Sequence, residues 1–315
     1  MLATSVRSGL EETTHEGAVA VVDRGGRLLA HHGDIDRLFY LRSAAKPFQA
    51  LVSQESGASL SLLEMAIVCA SHRGFPAHLS LVASVLEEAG LDEGALRCPP
   101  DWPLAPAASR IAARTGAREP RRIWHNCSGK HAGFLRACVA AGWPTETYLD
   151  PEHPLQQIVR TTVSELGGLA VDPVGVDGCG APVLRTTARA TATLYARLAG
   201  DDRLGEIFRA MHAYPALIGV NGTGDSDIAM SIHGAAKGGA AGCVGVAVEG
   251  HLGVAVKSWD GDGDVANLAA SVALDQLGLL TTTARRALGP VMSPSVMGGG
   301  HRVGHLEARF ELDTP

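Results

Sequence analysis

Apolar positions along the chain follow two rhythms, and the change from one to the other outlines a fold. Residues 17–22 and 27–31 are β-rich runs around Asp23-Arg24-Gly25-Gly26, a spacing that predicts a hairpin. A helix is predicted from about residue 43 to 53. A 3.6-residue rhythm then takes over. Leu79, Val82, Val85, Leu86 and Ala89 form one stripe closed by Gly90, and Phe134, Leu135, Cys138 and Val139 form another closed by Gly142. Leu155, Ile158, Val159, Val163 and Leu166 make a third stripe, closed by Gly167. Residues 181–198 and 204–212 also read as helices. After Pro215 the pattern returns to β: residues 243–248 and 252–256 flank Glu249-Gly250-His251, which predicts a second hairpin. Residues 265–279 read as a last long helix.

The order is strand pair, helical middle, strand pair, helix. It predicts an α+β (α/β) architecture in which both chain ends feed one antiparallel sheet and a helical subdomain is inserted between them. On this reading residues 1–50 and 216–315 form the sheet lobe, residues 51–215 form a mostly helical lobe, and a site lies in the cleft between them.

Composition narrows the function. With 27 basic and 33 acidic residues the net charge is −6, so no basic excess exists to neutralise a nucleic-acid backbone. No apolar run reaches the roughly 18 residues a membrane span needs. Residues 1–16 carry Glu11, Glu12 and Glu16 and no apolar block, so no signal peptide and a cytoplasmic location are expected. The six cysteines are scattered, which favours burial, catalysis or metal over a disulfide framework.

The basic residues are lopsided: four lysines (Lys46, Lys130, Lys237 and Lys257) against 23 arginines. A coding bias accounts for the scarcity. It also enriches the surviving lysines for places where arginine fails, because only lysine gives up its proton at usable pH.

Three of these lysines fall in candidate constellations. Ser43-Ala44-Ala45-Lys46-Pro47 is a Ser-x-x-Lys at a predicted helix start, where i, i+3 spacing brings an amine toward a hydroxyl and the positive helix end stabilises an oxyanion. His125-Asn126-Cys127-Ser128-Gly129-Lys130-His131 and Asp177-Gly178-Cys179-Gly180 supply two thiols suited to Zn²⁺, with His125, His131 or Lys130 as a third ligand. Ser71, after the apolar segment 62–68, is a second polar group for the cleft, and Lys257 ends a predicted inner strand. Asp260-Gly261-Asp262-Gly263-Asp264 lacks the glycine and glutamate that complete an EF-hand loop. Lys237-Gly238-Gly239 matches neither a Walker A loop nor a dinucleotide fingerprint. Cys138, on an apolar stripe, reads as core.

Taken together, Arg42-Ser43-Ala44-Ala45-Lys46-Pro47, Ala70-Ser71-His72, the segment 125–133, Gly175-Val176-Asp177-Gly178-Cys179-Gly180-Ala181-Pro182 and Lys237-Gly238-Gly239 resemble the L-asparaginase II family, the rhizobial-type or thermolabile class 3 of asparaginases. The resemblance implies a serine β-lactamase-like fold and hydrolysis of L-asparagine to L-aspartate and ammonia. It implies two serine–lysine pairs, Ser43–Lys46 and Ser71–Lys257, with Arg42 and Asp177 at the substrate. It also implies a zinc site of Cys127, Lys130, Cys179 and a water, and a homodimer. Two positions depart from the family pattern: Phe75, where the family usually has an acid, and Asp225, in a segment that usually carries an arginine. Both bear on substrate choice. The alternatives are a glutaminase or a β-lactam-processing hydrolase of the same layout, or a non-catalytic zinc-containing protein that binds a small amide.

Overall fold

A computed structural model describes residues 1–250 and 252–315. Its centre is a five-stranded antiparallel sheet. In spatial order the strands are Leu28–His32, Gly17–Asp23, Leu252–Ser258, Cys243–Val248 and Gly234–Gly239. The first predicted hairpin is present, one residue later in its second strand and with a bulge at Val21/Val22. The second hairpin pairs Cys243 with Lys257 through to Val248 with Leu252, and His251 in its turn lies outside the described residues. Gly17–Asp23 pairs with Leu252–Ser258, so the two chain ends do meet in the sheet, as the element order predicts.

Strand alternation gives this sheet two unlike faces. Val19, Val21, Val244, Val246, Val254 and Val256 point one way, onto Val265, Leu268, Ala269 and Leu274 of the helix Gly263–Gln276. Ala18, Ala20 and Ala255 point the other way, onto Ala188, Ala192 and Ala196 of the helix Ala188–Leu198. Side chains on that second face are small because the helix lies close. A Cβ on Gly253 would sit 1.9 Å from the Ala192 carbonyl oxygen. A Cβ on Gly245 would sit 2.1 Å from the Tyr195 ring.

The helices of the middle segment pack around a larger apolar core that includes Phe48, Met65, Ile67, Phe134 and Leu135. Leu62–Cys69 begins with a Ser61/Glu64 capping box and is buried from Met65 onward. Ser128–Ala141 ends at Gly142, left-handed at φ 69°. Pro154–Gly167 ends at Gly168 rather than at Gly167, which is still helical. The expected helix at 181–198 starts later. Pro182–Val183 and Arg185–Thr186 are short strands, and Thr187 caps a helix that begins at Ala188.

Two large sheets form where one was expected, beside two small pairs, Phe39–Tyr40 with Arg185–Thr186 and Gly175–Val176 with Pro182–Val183. Ser295–Gly298, His301–Ala308, Ala3–Arg7 and Leu10–His15 make a second, four-stranded antiparallel sheet in that order. Its strands lack the alternation that marks a strand in sequence: Leu10–His15 is an exposed edge that reads LEETTH, and the Ser295–Ala308 hairpin is rich in glycine. Among the described residues no helix is long and apolar enough to cross a membrane.

Candidate active site

Ser43 lies in a short 3₁₀ turn, Arg42–Ala45, that runs directly into the helix Lys46–Ser53. Pro47 sits in the first turn of that helix, where its missing N–H costs no hydrogen bond. Arg42 enters the turn at φ 52°, left-handed and unfavourable for an arginine, so the surrounding contacts hold the turn in place. Ser71 lies in the loop after Leu62–Cys69. Its N–H donates to Ile218 O at 3.0 Å, and the His72 N–H donates to Asn126 O at 3.2 Å, so the loop is fixed on two sides.

Lys46 joins the two serine segments. It is 1% exposed. Its Nζ lies 2.5 Å from Ala70 O, 3.5 Å from Asn126 O and 3.1 Å from Ser71 Oγ. Both carbonyls can only accept. An ammonium donates to all three oxygens, and a neutral amine can donate to both carbonyls while accepting from the Ser71 hydroxyl, so the contacts hold the lysine in place in either form. Burial pushes the Lys46 pKa down, and the nearby positive charges of Lys237 and Lys130 push the same way against the raising effect of Cys127 and Cys179. The residue is therefore built to lose its proton more readily than a solvated lysine.

Ser43 and Ser71 open onto one cleft of about 410 Å³, whose lining also includes Asn126, Asp225, Lys237 and Ala240. Lys237 is 1% exposed. Its Nζ donates to Gly238 O at 2.7 Å and pairs with Asp225 Oδ2 at 3.3 Å. Burial would raise the Asp225 pKa, but the Lys237 charge and the Gly238 N–H outweigh it and hold the carboxyl ionised below its ordinary range. This edge strand presses on the serine turn. A Cβ on Gly239 would come within 2.8 Å of Leu41 O and 3.3 Å of Ala44 N.

The structure arranges three of the expected site residues differently from the sequence reading. Lys257 does not line the cleft and does not pair with Ser71. Its amine donates to Ala241 O at 2.5 Å and to Ser258 O, and it lies 5.8 Å from the Phe39 ring and 5.6 Å from that of Trp259. The reason is strand order. Lys237 and Lys257 point to the same face of the sheet, but only Gly234–Gly239 is the edge strand that meets the serine turn. Lys237, which the sequence reading placed in a segment of the family resemblance and not in the site, is the strand lysine that lines the cleft. Arg42 and Asp177 face each other: Nε to Oδ1 is 2.7 Å, and neither lines the cleft. Their ion pair ties the serine turn to the turn that carries Cys179.

The sulfur motifs do come together. Cys127, Lys130 and Cys179 are all buried, and Lys130 Nζ lies 3.1 Å from Cys179 Sγ. Cys127 donates to Cys179, which lowers the Cys179 pKa and raises that of Cys127; burial opposes the first shift and the Lys130 charge adds to it. Burial would lower the Lys130 pKa, but the sulfurs outweigh it and raise it. Two soft sulfurs and an amine match the expected zinc ligands. Among the described residues no group of three or more His, Cys, Asp or Glu converges, so Lys130 is the third residue beside the two sulfurs in the expected set. His131 lies behind, its Nδ1 2.7 Å from Tyr148 Oη and its buried Nε2 without a partner.

Comparison with solved structures gives distant likenesses. Mglu in its native form is 16% identical with a TM-score of 0.46, over 84% of this chain and 65% of that one, so this chain spans about two thirds of the length of Mglu. A Bacillus glutaminase is 12% identical with a TM-score of 0.41, over 84% of this chain and 92% of the other. A probable glutaminase is 18% identical with a TM-score of 0.44, over 84% and 86%. Curated proteins give no match. The sequence model of L-asparaginase II matches residues 3–308, a span that takes in the serine turn, the Ser71 loop, the sulfur motifs and the Lys237 strand. The chain therefore belongs to the L-asparaginase II family.

Proposed function

We propose that this amidohydrolase is an L-asparaginase that cleaves L-asparagine to L-aspartate and ammonia with a serine nucleophile and a lysine base. The observation that carries the reading is the buried Lys46 amine, 3.1 Å from the Oγ of Ser71, which lines one cleft together with Ser43.

In this mechanism the Ser43 oxygen attacks the side-chain amide carbon. Its proton passes to neutral Lys46, with Ser71 as the relay. Ser43 and Ala240 both line the cleft, and their backbone N–H groups would be the donors to an oxyanion formed there. The Lys46–Ser71 pair then protonates the leaving nitrogen, and ammonia departs. Water enters, gives its proton to the same pair and releases the acid from Ser43. Lys237, ion-paired with Asp225, lies close enough to Lys46 for its charge to favour the unprotonated form of that amine. Zinc belongs to the same proposal: Cys127, Cys179 and Lys130 would hold it, and it would supply a Lewis-acidic centre behind Asn126.

The test is ammonia release from Asn, from Gln and, for comparison, turnover of a chromogenic β-lactam. Asn as the best substrate is expected. Release from Gln alone would make the protein a glutaminase, and ligand-induced stabilisation without any product would leave only a binding protein. A second reading makes Ser71 the nucleophile, since it is the hydroxyl in contact with the base. Mass spectrometry of a trapped acyl-enzyme separates the two, with the adduct expected on the peptide that contains Ser43. A homodimer, as the resemblance implies, would give a light-scattering mass of twice 32.7 kDa.

A further inference from the structure

His72 follows Ser71 directly and takes no part in the proposed proton transfers, yet its ring is fully buried and both of its nitrogens are bonded. Burial alternates along this loop, so Ser71 reaches the cleft while His72 is turned inward. Chemistry fixes the direction of each bond. The Gly74 N–H can only donate, and it meets His72 Nδ1 at 3.2 Å, so Nδ1 is the bare nitrogen. Nε2 therefore carries the hydrogen of the neutral ring and donates it to Ser128 Oγ at 2.7 Å. The Ser128 hydroxyl donates its own hydrogen to Ile123 O at 2.8 Å, an atom that can only accept. Burial pushes the His72 pKa far down, and the charges of His78, Lys46 and His125 act the same way, so the ring stays neutral. Packing sets the ring plane: His78 stacks on it with centroids 5.6 Å apart. Gly74, left-handed at φ 78°, turns the chain back so that its N–H reaches that ring, and a Cβ there would strike Pro103 at 2.6 Å.

These bonds join two parts of the site. At one end is the loop whose Ser71 Oγ meets the Lys46 amine at 3.1 Å. At the other is the start of the helix Ser128–Ala141, which follows Cys127 and carries Lys130. We infer that His72 is a positioning residue: docked on Ser128, it holds the Ser71 hydroxyl against the Lys46 amine and makes that contact depend on the helix start beside the sulfur group. The inference rests on the amide-hydrolase reading and adds to it a residue that touches no reacting atom.

The test compares the wild type with His72→Leu, His72→Gln, Ser128→Ala and the double variant of His72→Leu with Ser128→Ala, each assayed for ammonia release from L-asparagine. His72→Leu is expected to lower kcat about 100-fold, the loss that a displacement of about 1 Å brings, with KM within about twofold of the wild type. His72→Gln puts an amide nitrogen near the Nε2 position and is expected to recover about tenfold of that loss. Ser128→Ala is expected to lower kcat about tenfold alone and to add nothing in the His72→Leu background, because both changes remove one bond. Losses that multiply in the double variant, a His72→Gln enzyme as slow as His72→Leu, or a raised KM with kcat unchanged would overturn the inference. So would a wild-type kcat in Ser128→Ala, which leaves the ring packing intact and serves even if His72→Leu does not fold. Hydrogen exchange reads the loop apart from turnover. The Ser71 amide, bonded to Ile218 O at 3.0 Å, is expected to exchange about tenfold faster in Ser128→Ala. Exchange at the wild-type rate would contradict the positioning role. Faster exchange in a protein that releases no ammonia from any amide would instead sink the hydrolase reading alone.

Discussion

At the scale of single residues the protein depends on where its few lysines sit. All four are buried: Lys46, Lys130, Lys237 and Lys257. A fully buried lysine is rare unless it is paired or used, and each one here is held by carbonyls, a carboxylate or a sulfur. Lys46→Arg keeps the charge but cannot lose the proton, so turnover is expected to fall by about three orders of magnitude with the fold intact. Circular dichroism alongside the ammonia assay checks both halves. The pH profile follows from the same group. Burial, with repulsion from Lys237 and Lys130, sets the Lys46 pKa below the ordinary 10.5, and only the neutral form is a base. The rate must therefore rise with pH through that lowered pKa. A kcat/KM that falls as pH is raised from neutrality to about 9 would show that a protonated lysine is the working form.

At the scale of elements, function depends on close approach between the serine turn and the edge strand Gly234–Gly239. Gly239→Ala puts a methyl group 2.8 Å from a backbone oxygen that cannot step aside. Overpacking of this kind costs about 1–3 kcal/mol, and the strand that carries Lys237 must move off the serine turn. Urea denaturation should register the first effect and a reduced kcat the second; an unchanged kcat would mean that the contact does not shape the site. This scale also marks what could be read from sequence. The helix starts at Ser43 and Lys46 and at Cys127 and Lys130 were legible from local signals, but the Lys46 amine bonds Ser71 where the spacing pairs it with Ser43. Which strand lysine lines the cleft was not legible either. Lys237 and Lys257 both sit on β-strands, and nothing local tells which strand becomes the edge beside the serine turn. The helix expected at residue 181 illustrates the reverse error. Apolar residues at 181–184 fit a helix stripe, but they are buried as short strands before Thr187 supplies the cap.

At the scale of the whole molecule, the interleaved connectivity makes one unit of elements far apart in sequence. Gly17–Asp23 lies beside Leu252–Ser258, and Ala3–Arg7 lies beside His301–Ala308. The site is assembled between them and the helices of the middle segment. The sulfur group sits behind the same cleft, buried with Lys130 among the helices. Elemental analysis is expected to find about one zinc per chain, lost in a Cys127→Ser, Cys179→Ser double variant together with several degrees of melting temperature. If chelation lowers stability and leaves turnover intact, the metal is architectural. The central claim is chemical, that a buried neutral lysine beside the cleft serines drives amide cleavage. It is tested most directly by ammonia release from L-asparagine by the wild type, Ser43→Ala and Lys46→Arg, each shown to be folded. The account predicts steady release by the wild type and about a thousandfold loss in both variants. Lys46→Arg turnover within tenfold of the wild type would contradict it.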